Sequence, residues 1–154
     1  MRSLRAARRP RRRDEQGQMT VMIVGFAAIL LLAVAVVVDA SAAYLQRQGL
    51  ATLADGAALA GADGGAQGSE VYTRGLDGIR AELAAAAARR SVIEYLAASD
   101  AQARFPGLSY DINVGADTVV VRMRAPLDLP LEIPGSPGEA IIGASGSAVV
   151  TFKR

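Results

Sequence analysis

The sequence of 154 residues has no cysteine, no histidine and no tryptophan, and Lys153 is its single lysine. Without cysteine no disulfide framework exists. Without histidine or cysteine, neither a Ser/His/Asp or Cys/His triad nor a zinc site of the usual ligand types can be assembled within the chain. The lone lysine has no Ser-x-x-Lys partner upstream, and no GxxxxGK[ST] phosphate loop occurs. Aromatic residues make up only 5% of the chain, so the 51% hydrophobic share rests largely on small side chains and overstates the capacity to fill a large core. The remaining carboxylates are dispersed, with no calcium-loop spacing and no close acid/base pair. No catalytic site, metal or cofactor is expected, and no small-molecule substrate.

The formal net charge of +2 hides an asymmetry. Arg2, Arg5, Arg8, Arg9, Arg11, Arg12 and Arg13, offset by Asp14 and Glu15, leave +5 on the first fifteen residues. The other ten basic and thirteen acidic residues leave −3 on the rest. A basic tail of this kind either neutralises nucleic-acid phosphates or fixes the orientation of a membrane protein. The adjoining segment decides between the two. Met19 to Val38 is a run of twenty residues without a charge, about 30 Å of helix, which matches a bilayer's hydrocarbon core. The run predicts a transmembrane helix. The preceding Arg8, Arg9, Arg11, Arg12 and Arg13 then hold the N-terminus in the cytoplasm and place Asp39 onward outside. No aromatic residues are interleaved with these arginines, which argues against nucleic acid as a partner.

A secretory signal peptide is the alternative, with Ala40-Ser41-Ala42 as a small-residue cleavage site and a mature chain starting at Ala43. The apolar run exceeds the usual h-region of about 7–15 residues, which favours an uncleaved anchor. Beyond the run, residues 39–62 are rich in Ala, Leu and Gln and free of proline. They predict one helix from about Met19 to Ala62, membrane span first and stalk second. Leu50, Leu53, Ala57 and Ala60 form a narrow apolar stripe that favours packing on the protein's own outer domain, and Ala54, Ala58 and Ala62 permit close approach of a second helix. The glycine cluster at 61–69 is expected to end the helix and open a flexible linker over 63–76.

A basic start, Gly17-Gln18-x-Thr20-Val21 before the span, Asp39 at its outer edge, Tyr44, and the block Leu53-Ala54-Asp55-Gly56-Ala57-Ala58-Leu59-Ala60-Gly61 together resemble a known module. It is the N-terminal module of the TadE/TadG-like proteins of Tad, or Flp, pilus assembly. The resemblance covers about residues 11–62. It implies other pilin-like or Tad assembly subunits as partners. In pilin-like relatives a prepilin peptidase cuts after a glycine, with glutamate at the fifth mature position. Gly17 supplies the glycine here, and Met22 stands at that fifth position. From the residues themselves, Tyr44 reads as a headgroup-zone anchor. Asp39 reads as a solvated residue just past the bilayer, with a polar contact to a neighbouring transmembrane helix as the sharper alternative. Asp55 reads as helix surface.

The remainder, 77–154, predicts a small α+β domain. Ile79, Leu83, Ala86, Ala87, Ile93 and Leu96 recur at helical spacing over Gly78 to Ala98, with Asp77 as N-cap and Arg90–Glu94 as an i,i+4 pair. Phe105-Pro106-Gly107 makes a turn. Leu108, Tyr110, Ile112 and Val114, then Val119, Val121, Met123 and Ala125, alternate around Gly115-Ala116-Asp117 and predict a β-hairpin. A third strand is expected near Ser147–Lys153, with Ala148, Val150 and Phe152 on one face. Pro126, Pro130, Pro134 and Pro137 make 126–140 an extended edge or loop. The sum is a basic cytoplasmic tail (1–18), a transmembrane helix (19–38), a stalk (39–62), a linker (63–76) and an outer domain (77–154). Its fold is α+β and pilin-like, with an antiparallel sheet of about three strands whose wet edge could accept a partner strand.

Overall fold

The computed structural model describes residues 15–70, 77–131 and 140–150, with side chains described over 17–67, 81–131 and 140–150. The chain divides into two compact units, Met1–Val38 and Asp39–Arg154. In chain order the elements are α1 (Glu15–Glu70), α2 (Asp77–Ala98), α3 (Ala101–Arg104), β1 (Ser109–Val114), β2 (Thr118–Pro126) and β3 (Ile141–Val149). The architecture is α+β, as the change of period from helix to strand near Leu108 predicts.

In the first unit the described residues belong to α1. Fourteen large apolar side chains from Met19 to Val38 are 43–73% exposed there. In the second unit the sheet has the order β1-β2-β3 and is antiparallel throughout. The hairpin registers Val114 opposite Val119 and Ser109 opposite Arg124, and β2 registers Thr118 opposite Val149 and Pro126 opposite Ile141. Val119, Val121, Met123 and Ala125 are all buried, so one face of the central strand closes the core while Arg122 and Arg124 face water. Against that face lie Leu50, Leu53, Ala54, Ala57, Ala58 and Ala62 of α1, Ala88, Val92 and Leu96 of α2, and Phe105 and Leu108. Leu108 N–H donates to the Phe105 carbonyl at 3.0 Å and Gly107 has φ 77°. This is the turn that Pro106-Gly107 encodes, since glycine alone takes positive φ without a Cβ clash.

Three expectations are corrected. The glycine cluster does not end α1, which runs on to Glu70; the remainder of the expected linker, 71–76, lies outside the described residues. The glycines are spacers for α2. A Cβ on Gly61 would stand 2.7 Å from Val92 Cγ2, and one on Gly64 would overlap the Ser91 hydroxyl. Helix propensity lost at glycine is offset by the close approach of two helices. Second, α2 presents a different face from the one expected. Ala88, Val92 and Leu96 are buried, whereas Ile93 is 51% exposed, Leu83 is 39% exposed and Ala86 faces solvent. Arg90 and Glu94 lie on the exposed side, and the side chains of Asp77 and Ile79 lie outside the described residues. Third, the last strand begins at Ile141, six residues before the expected start. Ala148 and Val150 do lie half-buried against the core, while Phe152 and Lys153 lie outside the described residues, as does 132–139 of the proline-rich segment.

Candidate membrane anchor and loop clamp

Residues 19–38 present no polar face. The only breaks in the apolar sleeve are small residues and Thr20, and Val21, Phe26 and Leu31 are 73%, 64% and 72% exposed on different sides of the helix. Removing fourteen such side chains from water is worth on the order of 20 kcal/mol, more than the roughly 5–15 kcal/mol that holds an ordinary domain folded. A sleeve of this size needs an apolar surrounding. The helix is long and apolar enough to cross a membrane, and its most apolar window is entirely unburied within the protein. Gly17 sits just before this stretch with open space around it. Arg8, Arg9, Arg11, Arg12 and Arg13 lie outside the described residues.

Within the second unit, α1 carries two polar side chains on the stripe that the core uses. Asp39, Gln46, Leu50, Leu53 and Ala57 follow spacings of seven, four, three and four, which keep them on one side of the helix. Asp39 is only 8% exposed, and its Oδ1 accepts a hydrogen bond of 3.1 Å from the backbone N–H of Leu131. Gln46 clamps the same loop by both ends of its amide. Its Nε2 donates to the Asp128 carbonyl, and its Oε1 accepts the Asp128 N–H at 3.1 Å. The spacings agree. Seven helical residues rise about 10.5 Å, and the three extended residues from Asp128 to Leu131 reach about 10 Å. The segment after β2 therefore runs alongside α1, with the backbone groups of Asp128 and the N–H of Leu131 satisfied by helix side chains. Asp39 is thus not the solvated surface residue expected: its Oδ1 serves a loop of its own chain.

The small-residue block that carries the family resemblance divides by face. Leu53, Ala54, Ala57 and Ala58 are buried at 3% exposure or less, Ala60 is half-buried, and Asp55 and Leu59 point to solvent, Leu59 at 58%. The alanines are small because the sheet reaches the helix backbone here. A Cβ on Gly146 of β3 would overlap the backbone of Ala54 and Asp55, and a Cβ on Gly56 would overlap the Tyr95 hydroxyl of α2. The close approach permitted by Ala54, Ala58 and Ala62 is taken up by the protein's own β3 and α2. Tyr44 is 68% exposed and Leu45 65% exposed, and by helical position Tyr44 falls on the side of α1 opposite Asp39 and Gln46. Gln46, Gly56, Gly146 and the 128–131 loop were not legible as a site from sequence. The available signal was the recurrence of polar Asp39 and Gln46 at stripe positions, which marks polar side chains facing something other than water.

Residues 17–64 match the family model Tad, described as "Putative Flp pilus-assembly TadE/G-like". The match spans the apolar run, Asp39, Gln46 and the Leu53–Gly61 block, and so coincides with α1 and not with the sheet. No curated protein and no solved structure matches the chain. Over this segment the chain is similar to that family, and the segment contains a helix long and apolar enough to cross a membrane.

Proposed function

We propose that the chain is a single-pass, membrane-anchored component of a Tad/Flp-type pilus-assembly or secretion apparatus, a minor pilin or assembly factor that contributes to adhesion. It acts by helix packing and protein contacts and carries out no catalysis. Its N-terminus is cytoplasmic and its α+β domain is extracytoplasmic. The observation that carries this reading is the family match over residues 17–64, which falls on the apolar sleeve and the small-residue face that continues it. The arginine cluster at Arg8, Arg9, Arg11, Arg12 and Arg13 supports the orientation, because positive charge next to a span is retained inside. The absence of histidine and cysteine supports a role played by position. Other pilin-like or Tad subunits and the lipid bilayer are the partners this role requires.

The alternative is a secreted or surface-tethered binding module released by signal peptidase after Ala42. The hydrogen bond between Asp39 and Leu131 favours the uncleaved form, since cleavage there discards the acceptor and leaves the Leu131 N–H without it. Deleting the gene tests the proposal: pili and adherence are expected to be lost or strongly reduced. Normal pili in the deletion strain would overturn it.

A further inference from the structure

The described part of the segment after β2 reaches Asp39 of α1. Leu131 donates its N–H to Asp39, and Asp39 is the residue next to Val38, the last of the uncharged run. Leu131 is therefore tied, by a hydrogen bond to a residue 92 positions earlier, to the residue that follows the apolar run in the chain. Its side chain is 41% exposed, although Leu127 and Leu129, alternating with it along the same segment, are half-buried. We propose that Asp39 and Gln46 hold Leu131 in the interfacial zone of the outer leaflet, making the 128–131 loop a second, non-helical contact with lipid. The inference rests on the membrane-anchored reading above.

Three observations select lipid as the occupant. The loop is fixed to the first charged residue after a membrane-length apolar run, and the side chain it presents there, Leu131, is apolar and exposed. Tyr44 lies five residues beyond Asp39, about 7.5 Å along the helix, which reaches the outer limit of the roughly 5–7.5 Å headgroup layer on each side of a bilayer. It is 68% exposed, by helical position on the opposite side of α1. Tyr44 and Leu131 thus flank the helix within the same zone, where amphipathic and apolar side chains are commonly seated. Finally, the Asp128 backbone groups and the Leu131 N–H are already satisfied by Gln46 and Asp39, so bringing the Leu131 side chain to lipid leaves those groups paired. The consequence is mechanical. A helix alone leaves an outer domain free to tilt about the membrane exit, whereas contacts on two sides of it oppose that tilt.

The cysteine-free sequence makes the test direct. Single cysteines are placed in the full chain by Leu30→Cys, Leu59→Cys and Leu131→Cys, labelled with an environment-sensitive fluorophore, and reconstituted at low protein density into phosphatidylcholine vesicles without nitroxide, with shallow nitroxide-labelled lipid or with deep nitroxide-labelled lipid. Leu30 reports on the anchor. Leu59, which is exposed and about 30 Å further along the helix than Asp39, reports on water. The label at 131 is expected to lose fluorescence to the shallow quencher and the label at 59 to lose none. Adding Asp39→Ala and Gln46→Ala is expected to bring position 131 to the behaviour of position 59. If position 30 is quenched by the deep lipid and 131 is not quenched by the shallow one, the loop contact is overturned while the anchor stands. If position 30 is quenched by neither lipid, the anchored reading falls and this inference with it. Quenching at 131 that persists without Asp39 and Gln46 overturns the clamp. Shielding of 131 that needs high protein density and resists the lipid quencher assigns Leu131 to a protein partner and also overturns the inference.

Discussion

Substituting Gly146 and Gly143 separately by alanine isolates the closest contact in the outer unit. Both glycines lie in β3 and receive the same chemical change. A Cβ at Gly143 would meet nothing nearer than the Met123 carbonyl oxygen, at 3.7 Å, an ordinary contact. One at Gly146 would overlap the carbonyl of Ala54 and approach the Asp55 nitrogen, which are backbone atoms in the middle of α1 and cannot rotate away. In a compatible site, Gly→Ala restricts the unfolded chain and stabilises by about 0.4–1 kcal/mol. Gly143→Ala is expected to show that gain. Gly146→Ala has the same entropic gain, set against overpacking that costs about 1–3 kcal/mol, with the upper end favoured because the obstacle is backbone. The two variants should therefore differ by about 1–3 kcal/mol, which corresponds to some 4–12 °C in Tm if a small domain shifts roughly 4 °C or more per kcal/mol. The assay is denaturant unfolding of the full chain in detergent, followed by far-ultraviolet circular dichroism. Equal midpoints for the two variants would refute the close approach of β3 to α1.

The other predictions concern the clamp, the core stripe and the tail. Asp39→Ala should cost about 1–3 kcal/mol by stranding a partly buried N–H, with faster hydrogen exchange at the Leu131 amide and a smaller effect for Asp39→Asn, which keeps an acceptor oxygen. Leu50→Ala, at a fully buried position, should cost about 2–5 kcal/mol. Leu59→Ala, at 58% exposure on the same helix, should stay within about 0.5 kcal/mol, and both values come from denaturant midpoints. Replacing Arg8, Arg9, Arg11, Arg12 and Arg13 by glutamine should produce mixed orientation, read as partial loss of protease access to a C-terminal tag from outside the cell.

The two long helices, the hairpin and the buried face of β2 were legible in the sequence because each follows from a local period: twenty uncharged residues for the apolar run, and alternation at Val119, Val121, Met123 and Ala125 for the strand. What was not legible depends on contacts distant in sequence. Glycine at 61, 64 and 65 lowers helix propensity and reads as a stop, but α2 packs against those positions and the helix continues. Ile93 and Leu96 are both apolar and three apart, so period alone does not say which of them faces the core. Ile141–Gly146 contains two glycines and little β-branched bulk beyond its first two residues, and pairing with β2 makes it a strand. Asp39 reads as solvated because its partner is a backbone N–H 92 residues away, in a loop interrupted by proline. The Tad-like block was recognisable as a motif, while its reason, a helix face pared down for Gly146 and Tyr95, required the fold.

Pilus counts in a deletion strain test the central claim most directly when two complementing chains are compared. One is the intact protein. The other carries a cleavable secretory signal in place of residues 1–42, so that 43–154 is exported without an anchor. The intact chain is expected to restore pili and the released chain to leave the strain bare. Full restoration by the released chain would contradict the account.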